Sequence, residues 1–296
     1  MVRERGEREI SCPQSSIGDG MSASIVCGVD GSREAEKAAA VAARLARDLS
    51  SRALLVHVHE DARKRRFRLH IPRPRRERRR RKLLKAIATG YCFPPDTQLR
   101  LKRGDPASEL LETAREEDAE LLVVATGGLG TASPVLLGGT ASALMHESPC
   151  PVVVVPTRSV PPLDAESIRD VVCALEGRPS DPAVLGLAAD LATRLGGHLH
   201  AVTDRDDAID PRELGIDALP HVVRAPADQA VKLVADHVRA GLAVAGAPNA
   251  AVPGSAPNVP LAIALAADGD TPVVVLTGAA QLQAGSGHYE LAAGAA

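Results

Sequence analysis

The residues with the clearest chemical potential lie in the stretch from Leu121 to Pro156, LLVVATGGLGTASPVLLGGTASALMHESPCPVVVVP. Its apolar start, Leu121 to Ala125, and its apolar end, Pro151 to Val155, are bounded by Gly and Pro, as suits parallel strands covered on both faces. Between them a loop carrying Gly127, Gly128, Gly130, Gly138 and Gly139 leads into a short helix predicted to open near Gly139. A Gly-rich loop that leaves a strand and enters a helix suits anions. Unpaired backbone N–H groups and the positive end of the helix dipole favour phosphate, and Gly lets the backbone come close.

Other chemistries find less support. His57-Val58-His59 and His198-Leu199-His200 each place two histidines on one strand face. Zinc needs more ligands than that, and no further His or Cys cluster stands nearby in sequence, so no metal site is expected. Cys12, Cys27, Cys92, Cys150 and Cys173 are scattered without a CxxC. Cys27, Cys150 and Cys173 fall in or beside apolar runs and read as reduced core thiols. There is no GxSxG and no Walker sequence, and a dinucleotide fingerprint is missing after the first strand, which ends in Asp30-Gly31-Ser32 instead. No catalytic residue is assigned.

The elements that must position the loop follow from apolar patterning. Ser24 to Asp30 reads as a buried strand, Glu34 to Leu49 as an amphipathic helix with Ala38, Val41, Ala42, Leu45 and Leu49 inward, and Ala53 to Val58 as a second strand. Strand, helix, strand is a parallel unit with a right-handed crossover. Gln98 to Leu101 supplies a third strand, and Gly104-Asp105-Pro106 starts a helix that leads to the loop. Asp30, between the first strand and the first helix, suits a turn residue that caps the helix.

The loop resembles the nucleotide-binding loop of the universal stress protein family. The ATP-binding members of that family carry Gly, two residues, Gly, nine residues, then Gly followed by Ser or Thr, ahead of a strand like CPVVVV. In the gapless register those positions are Ala125, Gly128, Gly138 and Gly139: the second and third glycines are kept, and Ala125 and Gly139 depart from the pattern. A displaced register through Gly127, Gly130 and Gly139-Thr140 is one residue short. The resemblance implies that Asp30, Val58 and Val124 lie at base and ribose, and that Ala125, Gly128, Gly138, Gly139 and Thr140 lie at the phosphates. It also implies ATP, with Mg, as the cofactor. Asp30 thus has two readings, as adenine neighbour or as cap.

At 296 residues a chain is long for one core, and two domains are the natural expectation. The second half repeats the first: IRDVVCALE restates SIVCGVD and sets Glu176 opposite Asp30, and Pro272 with VVVL matches Pro151 with VVVV. Its loop, GAPNAAVPGSAPNVPLAIA, carries Pro253, Pro257 and Pro260, which lack the N–H a phosphate cradle needs. Nucleotide is therefore expected in the first half only. The fold expected is α/β, two tandem doubly wound parallel five-stranded sheets of universal stress protein type, akin to the adenine nucleotide alpha hydrolase fold. The domains are 21–158 and 165–278, between flexible tails at 1–20 and 279–296. In the family the last strands pair across a dimer, so PVVVVP and PVVVL are expected to pair within one chain as a pseudo-dimer, with a homodimer as a further assembly.

Charge is distributed unevenly. Of 35 Lys and Arg and 37 Asp and Glu, the segment 63–85 holds fourteen and one, which leaves 21 against 36 elsewhere. Pro72 and Pro74 are expected to keep its first part extended, with 77–89 helical and Leu83, Leu84 and Ile87 inward. Such an arm is either a solvated helix face or an attractor for nucleic acid, polyphosphate or an acidic partner. Phe67, Phe93, Tyr91 and Tyr289 are the only aromatics, too few to build stacking platforms for single strands. No apolar run approaches a membrane span of about 18 residues, and a cytoplasmic location is expected. Two functions stand: a stress-response protein that binds ATP or a related adenine nucleotide in the first domain as a regulatory switch, at most a slow ATPase, or a scaffold acting through protein partners with the Arg-rich arm as docking or nucleic-acid-binding element.

Overall fold

The computed structural model describes residues 23–59, 73–127, 138–159, 168–176, 181–203, 211–246, 261–277 and 280. In the first half, β1 (Ser24–Gly28), α1 (Arg33–Asp48), β2 (Arg52–His59), α2 (Arg73–Gly90), β3 (Gln98–Arg103), α3 (Pro106–Glu116), β4 (Ala119–Ala125), α4 (Gly139–Glu147) and β5 (Val152–Val155) follow in order. The second half runs β6 (Val171–Leu175), α5 (Asp181–Leu195), β7 (Leu199–Thr203), a 3-10 turn (Pro211–Leu214), β8 (Leu219–Val222), α6 (Ala227–Val238), β9 (Leu242–Gly246), α7 (Leu261–Asp268) and β10 (Val273–Leu276).

The strands form one ten-stranded sheet in the order β3-β2-β1-β4-β5-β10-β9-β6-β7-β8. Each half is parallel and uses the same internal order, so the expected pair of doubly wound five-stranded sheets is present. The halves meet at β5 and β10, which pair antiparallel with Val152 opposite Val275, Val153 opposite Val274 and Val154 opposite Val273. All six valines are at most 1% exposed. Joining two apolar edge strands removes both from water and satisfies backbone groups that would otherwise template aggregation.

Alternation along each strand divides the core into two layers. Ile25, Cys27, Leu121 and Val123 face the layer of α1, α2 and α5, whereas Val26, Leu122 and Val124 face the layer of α3, α4, α6 and α7. Both layers run through both halves, so folding of one half is coupled to the other. Arg194 of α5 pairs with Glu120 of β4, which also accepts from Ser51 Oγ at 3.2 Å, and Thr277 Oγ1 donates to the Ser148 carbonyl at 2.6 Å.

Three expectations need correction. Pro74 does not hold its segment extended: α2 already opens at Arg73, because Pro in a first helical turn sacrifices an N–H that has no partner there. The cap of α1 is Ser32, whose Oγ accepts from Ala35 N at 3.1 Å, while Asp30 Oδ1 accepts from Ser32 N at 2.9 Å in the preceding turn. Ala280, expected in a flexible tail, is buried in the core and donates its N–H to Thr277 Oγ1 at 3.1 Å. The rest of that tail and residues 1–20 lie outside the described residues.

Candidate functional site

Parallel strands bring the expected site residues to one edge of the sheet. Gly28 of β1 is level with Val56 of β2, and Cys27 is level with Val123 of β4. Two residues further along each chain, Asp30, Val58 and Ala125 therefore stand at the same carboxyl-terminal edge. α1 leaves β1 toward one layer and α4 follows β4 in the other. Helices that depart to opposite faces from neighbouring strands leave a crevice between the strand ends, the place where open α/β sheets take ligands.

The crevice walls are held by specific contacts. Gly31 adopts φ 89°, a left-handed conformation that turns the chain between Asp30 and the cap of α1. His57 is buried, and its Nδ1–H donates to the Val29 carbonyl at 2.8 Å, which fixes the backbone beside Asp30. Burial pushes the His57 imidazole below the usual histidine range; the Val29 hydrogen bond opposes this and the Arg80 charge adds to it. Val124 is buried, and Val58 is partly buried against the same layer. Ala125 is partly exposed at the strand end.

Across the crevice, Thr126 N donates to the Val155 carbonyl at 3.0 Å, and Gly138 N donates to the Thr126 carbonyl at 2.7 Å. The second bond closes the base of the loop: the chain leaves β4 and returns at the start of α4 within one hydrogen bond. Gly138 caps α4 without a side-chain bond, and its carbonyl accepts from Ser142 N at 2.9 Å. The first N–H groups of α4 thus lack side-chain acceptors from the cap, which suits an anion. Gly139 is exposed, and a Cβ built on it would meet nothing within 4 Å. Thr140 is partly exposed in the first turn of the helix. Gly128 lies outside the described residues.

Several structural contributors carried no sequence signal. Thr126 is buried, and its Oγ1 lies 3.4 Å from Thr157 Oγ1, while Lys37 of α1 donates to the Thr157 carbonyl. These contacts join the loop base to the first helix and to the chain leaving β5. Only the tertiary fold brings residues 37, 126 and 157 together. The other histidine pair is accounted for locally: His198 Nδ1 lies 3.2 Å from Asp170, and His200 Nδ1 lies 3.0 Å from His221 Nε2. Among the described residues no group of three or more His, Cys, Asp or Glu is arranged to hold a metal ion. Cys27, Cys150 and Cys173 are free and buried, and burial raises the Cys27 and Cys150 thiols.

Comparison with known proteins agrees with this fold. Residues 21–156 match the model of the universal stress protein family. A universal stress protein of Thermus aquaticus is 35% identical over 143 residues, which span 44% of this chain and 96% of that protein. One from Mycobacterium bovis is 32% identical over 127 residues, 42% of this chain and 43% of the relative's length. Over both halves the fold is similar to the crystal structure of a universal stress protein from Archaeoglobus fulgidus, with TM-score 0.63 and 18% identity over 85% of this chain and 95% of that one. With doubly wound halves and a relative at 35% identity matched over 96% of its length, the chain belongs to the universal stress protein family.

Proposed function

We propose that the first half binds ATP, with Mg, or a related adenine nucleotide in the crevice between β1 and β4, and that occupancy acts as a regulatory switch. The observation that carries this is the hydrogen bond from Gly138 N to the Thr126 carbonyl, which sets the start of α4, capped by Gly138 without a side-chain bond, beside the strand ends that present Asp30, Val58 and Ala125. In this arrangement Asp30, Val58 and Val124 hold base and ribose. Backbone at Ala125, Gly128, Gly138, Gly139 and Thr140 holds the phosphates. Gly139 supplies no hydroxyl, so affinity rests on main-chain donors and on Thr140.

The switch has a route to the second half. α4 begins at the phosphates and ends at Ser148, whose carbonyl accepts from Thr277 beyond β10. A shift of α4 on binding would therefore be felt at the junction of the halves. Turnover is not part of the proposed role, because among the described residues no side chain at the strand ends stands out to position an attacking water.

Thermal unfolding with and without MgATP tests the proposal. Ligand at a hundredfold excess over Kd stabilises a binding protein by about 2.7 kcal/mol, which raises the midpoint by several degrees. The wild type should show this shift, and Gly138→Val, which crowds the phosphate side, should not. Equal shifts in both proteins would place the ligand elsewhere.

A further inference from the structure

The outer side of α2 carries none of the residues assigned to the nucleotide site. In the second half the chain passes from β7 to β8 with only the 3-10 turn Pro211–Leu214 as described helix, yet strand order is unchanged. The inner side of α2 has an evident structural role, since Leu84 and Ile87 are buried and Leu83 packs beside them. Its outer side needs another explanation.

Arg78, Arg81, Lys82 and Lys85 are all exposed and follow the i, i+3, i+4, i+7 spacing of one helix face, opposite Leu83, Leu84 and Ile87. At a rise of 1.5 Å per residue the four charges occupy a strip about 10 Å long. Arg79 is exposed beside the strip. The one described acid on the helix, Glu77, reaches only Arg81, at 3.5 Å between two largely exposed side chains, a pair of little energetic weight. No described acidic residue is within ion-pair distance of Arg78, Lys82 or Lys85. Like charges this close oppose one another, and among the described residues only Glu77 offsets any of them. A polyanion in solution would relieve them.

The surroundings narrow the choice of polyanion. Neighbouring α1 carries Glu34 and Glu36 in its first turn, and outside 63–85 the chain holds 36 acidic against 21 basic residues. A duplex is broader than a strip about 10 Å long and carries a second strand of phosphates that the strip does not neutralise. A single phosphate chain can follow the strip alone. The helix has no aromatic side chain on which bases could stack, so a nucleic acid strand gains nothing here beyond its phosphates. We infer that the exposed face of α2 is a docking strip for a linear phosphate polymer without bases, inorganic polyphosphate. The site is separate from the nucleotide crevice and stands whether or not that crevice is occupied.

The test is fluorescence anisotropy of end-labelled polyphosphate of defined length titrated with the full chain between 50 and 200 mM salt. Single-stranded and duplex DNA serve as competitors at equal phosphate concentration. Four neutralised phosphates on a single chain give a slope of log K against log salt of about −3, or roughly fiftyfold weaker binding across that range. The variant R78Q/R81Q/K82Q/K85Q should lose binding and the salt dependence together. Its unfolding midpoint should stay close to that of the wild type, since the changes are exposed. Binding unchanged in the variant, or a slope near zero, would overturn the assignment. Displacement by either DNA at lower concentration than by unlabelled polyphosphate would overturn it in favour of a nucleic-acid interface.

Discussion

Restoring a hydroxyl at position 139 should strengthen nucleotide binding, and the structure sets the expected size. A Cβ at Gly139 has open space around it and the backbone there is not left-handed, so Gly139→Ser enters without strain. The new Oγ would sit at the first position of α4, beside N–H groups that the Gly138 cap leaves without a side-chain partner. A hydrogen bond to a charged group contributes about 1.5–3 kcal/mol, and 1.4 kcal/mol is tenfold in affinity. Because Gly139 is exposed, the lower figure applies, and Kd for MgATP should fall about tenfold. Gly139→Ala is the control, since it fills the same space and gains helix propensity without a hydroxyl. Calorimetric titration of the three proteins separates the effects. Equal tightening in Ala and Ser would show that helix preference and not phosphate contact is responsible, and no tightening in Ser would refute the placement of phosphate at the start of α4.

Other consequences follow from the same contacts. Val274→Asp puts a carboxylate into the β5–β10 seam opposite Val153, both fully buried. It should cost several kcal/mol, a large part of a typical total of about 5–15 kcal/mol, and denaturant titration should show both halves affected together. The same change at Val222, which is 57% exposed, should stay within about 0.5 kcal/mol. Burial holds His57, His59 and His200 below the usual histidine range. The unfolded chain then binds more protons than the folded one just below pH 6.5, so stability should fall as pH drops from 7 to 5. His57→Gln combined with His200→Gln should flatten that slope in thermal melts, and an unchanged slope would assign it to other groups.

Much of the architecture was legible in local pattern. PVVVVP and PVVVL announce buried strands, and the resemblance to a family whose last strands pair across a dimer implied the seam that the valine register displays. The equivalence of Asp30 and Glu176 likewise foretold two halves with one strand order. What sequence could not show depends on distant partners or on rules that position reverses. Pro74 reads as a helix breaker, yet in a first turn it has no bond to lose. Asp30 and Ser32 are both good caps, and only the turn at Gly31 decides between them. The tie from Thr126 to Gly138 spans the loop, the bond from His57 to Val29 crosses from β2 to the end of β1, and that from Thr277 to Ser148 joins the halves. None has a periodicity to reveal it.

Nucleotide binding in the first half alone is tested most directly by calorimetric titration of the full chain with MgATP. One site per chain at micromolar strength, abolished by Gly138→Val, is the predicted result. No heat and no thermal stabilisation at millimolar ATP, or two sites per chain, would contradict it.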